Sequence, residues 1–192
     1  MAPELNEIVS EKQQQLIDTG KELFSQHGIK RVTVKEICNK ADVSKMTFYK
    51  YFDNKIDLVK YIVDDWTDII WKKVDEIEAM EIPFSQKLNM IFEYKWKILE
   101  QTNDDFLKEL LELDIDTSKS MERFTKFMAD AQNRGDIRQD IKLQLIISLL
   151  DRLSEWSQNE NLVKLYPTFK ELNKDLFNML YYGILPRDEG NE

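Results

Sequence analysis

The chain has 192 residues, 42% hydrophobic and 33% charged, with 5 Gly, 4 Pro, one Cys and one His; that suffices for one large or two small domains, and so few breakers predict long helices with short connections. One cysteine excludes an internal disulfide framework, and a single histidine excludes both a zinc site and the paired Glu-x-x-His motifs of a di-iron bundle, so no metal or other cofactor is expected. The formal net charge of -9 excludes a protein that coats nucleic acid indiscriminately.

Residues 1–12 are polar, include Glu4, Glu7 and Glu11, and show no apolar face; a frayed arm is expected rather than a signal sequence. From Gln13 to His27, the positions Leu16, Ile17, Gly20, Leu23, Phe24 and His27 follow the rhythm of an amphipathic helix. Gly20 admits a crossing helix, Gly28 is a natural left-handed stop, and His27 reads as a helix-end residue beside the negative dipole terminus. Lys30 to Val34 alternates weakly, but Thr33 and Glu36 have the spacing of a capping box, which opens a helix at Thr33 and outweighs a strand. Its inward face carries Ile37, Cys38 and Ala41, with Cys38 as a small buried hydrophobe. Ala41-Asp42-Val43-Ser44 then breaks the run, Val43 plugging a turn and Ser44 capping the next helix. From Lys45 to Tyr51 that helix mixes cations, a hydroxyl and phenols, while Phe48 and Phe52, four apart, share the face that can anchor it. The other face is free to meet a polyanion. The charge distribution agrees: residues 1–60 hold 10 basic and 9 acidic side chains, the remainder 17 and 27, and 30–60 alone hold 8 against 4.

On these residues the stretch Ile17 to Lys55, about a fifth of the chain, resembles the N-terminal DNA-binding domain of the tetracycline-repressor (TetR) family of bacterial regulators. Leu23-Phe24, Gly28, Thr33-Val34, Ile37, Ala41, Val43-Ser44-Lys45, Thr47, Tyr49, Tyr51-Phe52 and Lys55 stand where that family has them. Apolar, turn, aromatic and basic positions in one register are more specific than any short motif. Two departures stand out: Met46 occupies a position where the family mostly has Gly or another small residue, and Thr19-Gly20 replaces a usual pair of alanines. Met46 either holds the backbone further from the groove or offers its thioether to thymine methyls.

After Asp53-Asn54-Lys55 a long helix is predicted from Lys55 to about Met80, a rod whose two ends serve different domains. Phe84 to Glu100 carries Leu88, Ile91, Phe92, Lys95 and Leu99 on one stripe, with Tyr94, Trp96 and Ile98 on another. Short apolar and polar pieces follow over Asp104 to Leu113 and Asp114 to Ser118, with Glu109, Glu112, Asp114 and Asp116 read as a solvated face. Lys119 to Asn133 is helical with Met121, Phe124, Phe127 and Met128 inward, and Gly135 ends it. Ile141 to Trp156 and Leu162 to Leu185 complete the set, the former apolar on nearly all sides. A helix greasy all round must be buried all round, so these two are expected to face both the core and a second copy of the chain. In the resembled family the two C-terminal helices form such a four-helix interface. No run approaches the roughly 18 apolar residues of a membrane span, so a cytoplasmic protein without a membrane partner is expected.

Together these readings give an all-α protein: a three-helix helix-turn-helix DNA-binding domain over 1–55 and a larger helical effector-binding and dimerisation domain over 56–192. Lys45 and Thr47 are expected at base edges, since long cations read guanine and small hydroxyls reach base or phosphate. Tyr49, Lys50 and Lys55 are expected at phosphates, and Tyr51 fits either role, packing against the first helix being the alternative for both tyrosines. Thr33, Lys35, Ser44 and Met46, near the two helix starts, complete the expected DNA face. Trp66, Phe92, Trp96, Phe106, Phe124, Phe127, Met128 and Trp156 suit an apolar effector pocket, although core packing uses the same residues. Leu145, Leu149, Leu153, Phe169, Leu172, Leu176, Phe177 and Leu180 are the expected dimer interface. The resemblance implies a homodimeric transcriptional regulator, by default a repressor, that binds an inverted-repeat operator in double-stranded DNA and is released by a small-molecule effector. Its rivals are an interaction module that has lost specific DNA binding and acts as a coactivator, and a helical enzyme, for which no catalytic set is found.

Overall fold

The computed structural model describes residues 10–157 and 159–185. Among these the chain forms α1 (Glu11–His27), α2 (Val34–Lys40), α3 (Lys45–Tyr51), α4 (Lys55–Glu78), α5 (Phe84–Glu100), α6 (Asp104–Leu111), α7 (Ser118–Arg134), α8 (Leu143–Ser157), α9 (Glu160–Val163) and α10 (Phe169–Ile184), with no strand. The fold is all-α. The expected arm falls outside the described residues up to position 9. Its last residues belong instead to α1, because the Ser10 hydroxyl accepts from the Gln13 N–H at 3.2 Å and so starts the helix before the apolar rhythm does.

Contacts divide the chain into two units, Met1–Asp68 with Gln101–Leu110, and Ile69–Glu100 with Leu111–Glu192. These contact units part at Asp68, whereas the sequence expectation sets the DNA-binding domain over 1–55. Leu58, Val59 and Ile62 on the first turns of α4 are buried. They cross α1 at Gly20, where an added Cβ would stand 2.8 Å from Leu58 Cδ2 and 3.3 Å from Ile62 Cδ1. The absence of a side chain at Gly20 thus lets α4 begin inside the first unit.

In that unit α1, α2 and α3 pack on one another. The capping box at Thr33 is formed: the Thr33 hydroxyl accepts from the Glu36 N–H at 3.2 Å and the Glu36 carboxylate accepts from the Thr33 N–H at 2.8 Å. The hydroxyl also donates to that carboxylate, and these bonds hold the Glu36 pKa below its ordinary value. Asp42 takes the left-handed conformation, φ 53°, in the turn before α3. Cys38 is buried, which pushes its thiol pKa up.

The link between α1 and α2 is fixed from both sides. Gly28 leaves α1 at φ 77° and ψ 169°, a region that essentially only glycine occupies rather than the left-handed helical one expected of a stop residue. Beyond it, the N–H groups of Ile29 and Lys30 both donate to Glu109 Oε2 on α6, the latter at 2.9 Å. The carbonyls of Ile29, Lys30 and Val32 accept from Lys55 Nζ at 2.7, 3.0 and 2.9 Å. Asn103, just before α6, satisfies the end of α1 itself, donating its backbone N–H to the Ser25 carbonyl and its side-chain amide to that of Gln26, both at 2.8 Å. Helix ends leave such carbonyls without intrahelical partners, so Asn103 supplies what α1 lacks. Glu109 corrects the sequence expectation of a solvated face. Its partners are backbone amides some 80 residues away, which no local pattern announces.

The second unit is built around Val74, Phe84, Leu88, Phe127, Met128, Ala131, Ile137, Ile146, Tyr181 and Ile184. Here α8 packs along α10 and α7 against α8. Gly135 stops α7 in the left-handed conformation, φ 82°, donating to the carbonyls of Ala131 and Gln132. The single helix expected over Leu162 to Leu185 is instead two, α9 and α10. Pro167 has no N–H to continue a helix, and Thr168 starts the next one by accepting from the Glu171 N–H at 3.2 Å.

Removing the carboxylate that holds the α1–α2 link should loosen it locally. For Glu109→Ala, urea denaturation is expected to show a loss of about 1–3 kcal/mol. Amide exchange by NMR should accelerate at Ile29 and Lys30 while far-UV circular dichroism stays that of the parent; unchanged exchange at both amides refutes the clamp.

Candidate functional site

Helix α3 is short, and two phenylalanines decide which way it faces. Phe48 is fully buried and Phe52 nearly so, their rings 5.7 Å apart, and Phe52 meets Tyr61 of α4 at 5.8 Å. Ser44 caps the helix, its hydroxyl accepting from the Thr47 N–H at 3.0 Å and sharing a hydrogen bond with the Thr47 hydroxyl at 2.9 Å. With that face fixed inward, Lys45, Met46, Tyr49 and Lys50 are exposed, Met46 by 83% and Tyr49 by 55%. Lys45 places a cation at the positive end of the helix dipole, with no acidic residue in the first turn to offset it. That is a local cost to stability, of the kind found where a surface serves another molecule. Thr33, Lys35 and Ser44 are also exposed.

Two expected DNA-facing residues are placed differently from the rest. Tyr51 is half-buried and its hydroxyl accepts from Ser10 Oγ at 2.7 Å, tying α3 to the cap of α1, while Lys50 Nζ lies 5.5 Å from the centre of its ring. Lys55 has all three ammonium donors engaged by backbone carbonyls, so the phosphate role expected of it would require breaking that set. Its position at the start of α4 makes it a strut of the α1–α2 link.

The eight aromatic and methionine residues expected around an effector are brought together only in part: Phe127 and Met128 lie in the core of the second unit, and Phe92 and Phe124 pack against it. Trp66 and Phe106 meet edge-on at 5.7 Å in the first unit, because residues 101–110 belong there. Phe124 and Phe127 pair at 6.4 Å, with Phe127 and Met128 in the core of the second unit. Phe92 and Trp96 gather on Phe177 at 5.4 and 6.0 Å. Trp156, exposed, lines a groove between α8 and α10.

That groove is apolar and also takes Leu145, Leu149, Leu153, Leu176 and Leu180 of the expected dimer interface, together with Met179 and Gly183. Phe169 and Leu172 do not contribute; they are buried within the chain, and Phe177 packs with Phe92 and Trp96. Met179, 75% exposed, lines the groove although the sequence expectation leaves it out, and Tyr182 is 72% exposed. The spacing Leu176, Met179, Leu180, Gly183 is itself an i, i+3, i+4, i+7 stripe, and reading it separately from the core stripe would have found Met179.

Residues 16–62 match the family model described as "Bacterial regulatory proteins, tetR family". The chain is 20% identical over 158 residues to the HTH-type transcriptional repressor KstR2 of Mycolicibacterium smegmatis, covering 76% of this chain and 77% of that one. Its fold is similar to that of the regulatory protein TetR from Rhodobacter sphaeroides, with a TM-score of 0.65 and 18% identity over 92% of this chain and 100% of the other. It is also similar to the fatty acid degradation regulator FadR from Bacillus halodurans, with a TM-score of 0.61 and 19% identity over 91% and 96%. The match over α1, α2, α3 and the first turns of α4 covers the stretch that presents Lys45 to Lys50 outward, so residues 16–62 carry the DNA-binding helix-turn-helix that marks the tetR family of bacterial regulatory proteins, the DNA-facing part of a transcriptional regulator.

Proposed function

We propose that this regulator acts in the cytoplasm as a homodimer, each copy placing α3 in the major groove of one half of an inverted repeat, and that it represses until a small apolar effector releases it. The observation that carries the DNA reading is the outward face of α3: Lys45, Met46, Thr47, Tyr49 and Lys50 stand on a helix whose other side is committed to burial through Phe48 and Phe52. Lys45 and Thr47 read base edges in this scheme and Tyr49 and Lys50 hold phosphates, with Thr33, Lys35 and Ser44 beside them. Met46, fully outward, meets thymine methyls. Lys55 shapes the surface from behind and touches no phosphate.

The dimer reading rests on the α8–α10 groove, where Leu145 is 54% exposed and nothing lies within 4 Å of a Cβ built on Gly183. A contiguous apolar face of this kind is what a second copy of the same face covers. Repression is in keeping with the name of the similar KstR2. Release is a population shift and requires an effector that prefers the form with lower DNA affinity. The continuous helix α4, whose residues belong to one unit up to Asp68 and to the other from Ile69, is the element through which the two states communicate.

Titrating fluorescent operator candidates at several salt concentrations tests the DNA reading. Affinity for a cognate inverted repeat should fall by about 0.9 log units per log unit of salt for each phosphate contact. Lys45→Ala should cost about 1–3 kcal/mol and relax selectivity at one base pair, whereas Lys55→Met should lower thermal stability and leave the salt slope as it was. Binding without any sequence-specific component would instead favour an interaction module that keeps the fold.

For the dimer, sedimentation of the double variant Leu145→Asp with Met179→Asp should show a monomer of unchanged helical content and markedly weaker binding to the full repeat. A dimer that survives both charges places the interface elsewhere.

A further inference from the structure

Lys95 stands in the middle of α5 where a cation has no local reason to be. The residues three and four away on its face, Ile91, Phe92, Ile98 and Leu99, are all apolar, so the helix supplies no carboxylate partner. Across from it, the Phe177 ring of α10 lies 4.6 Å from Lys95 Nζ, and that ring is flanked by Phe92 and Trp96. Tyr181, one turn on, meets Phe92 at 5.8 Å and donates its hydroxyl to the Ser85 carbonyl at 2.7 Å, so it too is committed. Among the described residues the ammonium has no hydrogen-bond acceptor and no ion-pair partner beside the Phe177 ring face. Burial pushes its pKa down, yet the side chain keeps accessible surface. Phe92, Trp96 and Phe177 around it are likewise only half-buried.

A π face compensates a desolvated ammonium less well than an anion does. We propose that the half-buried ring cluster around Phe177 takes a monocarboxylate with an apolar body, the carboxylate pairing with Lys95 Nζ and the body lying against Phe92, Trp96 and Phe177. One ammonium neutralises one charge, and a phosphate monoester would carry a second into the same apolar surroundings without a partner. This names the chemical class of the effector and rests on the effector reading given above.

The test is equilibrium binding to the full chain, by calorimetry and by tryptophan fluorescence, of two acids and their neutral counterparts: decanoate with 1-decanol, and 4-phenylbutyrate with 4-phenyl-1-butanol. At least one acid should bind about tenfold or more tightly than its alcohol, the advantage of a charged hydrogen bond. Lys95→Met should abolish that advantage without weakening alcohol binding, and Lys95→Arg should retain it. Because Lys95→Met removes an unpaired cation, it should melt no lower than the parent; Lys95→Gln gives the same comparison should it misfold. The proposal is overturned by equal binding of acids and alcohols, by binding of neither acid, or by acid binding indifferent to Lys95→Met. Alcohols that displace operator DNA without any acid preference would overturn the role of Lys95 alone, while Lys95-dependent acid binding that never changes operator affinity would overturn the effector reading and leave the site standing.

Discussion

A helix of seven residues closes too few of its own hydrogen bonds to persist in water, so α3 exists because Phe48 and Phe52 are buried. Their burial also sets the rotation of the helix about its axis. Once those two side chains point inward, Lys45, Met46, Tyr49 and Lys50 are turned outward, and they are held there whether or not a polyanion is present. Truncating a fully buried phenylalanine typically costs about 3–5 kcal/mol, a large share of the stability of any small domain. Folding and presentation are therefore one constraint.

The surface that α3 offers is steadied by groups well away from it. The α1–α2 link is held through its carbonyls by Lys55 and through its amides by Glu109, while Asn103 completes the end of α1. Each of these is a charged or amide side chain answering backbone groups that helix ends and turns leave open. Residues 101–110 belong to the first unit although the chain on both sides of them belongs to the second. The link is thus specified by two distant stretches of sequence.

The C-terminal helices show how one composition serves two purposes. On α10, Phe169, Leu172, Tyr181 and Ile184 are buried, whereas Met179 and Tyr182 remain open. Both sets are apolar. Only the first is consumed by the chain's own core, and the second forms a face that water does not favour. Lys95 is the reverse case, a charge retained among rings where an aliphatic side chain would pack more simply.

Much of this was legible in residue order because it is local. The capping box of Thr33 and Glu36, the cap at Ser44, the four-residue spacing of Phe48 and Phe52, the missing side chain of Gly20 and the stop at Gly135 each act within a few positions, or on whatever helix comes near. Hydrophobic periodicity likewise settled that the chain is helical and roughly where its helices run. What tertiary structure decided is which apolar stripe meets which. It sent Phe106 to Trp66 rather than to the rings of the second unit, buried Phe169 and Leu172 while leaving Met179 open, and turned Glu109 from a solvated acid into the acceptor for two backbone amides. Apolar side chains attract one another without regard to identity, and a carboxylate accepts from any amide within reach. Sequence fixes those appetites, but pairing between residues tens of positions apart follows only from the path of the chain.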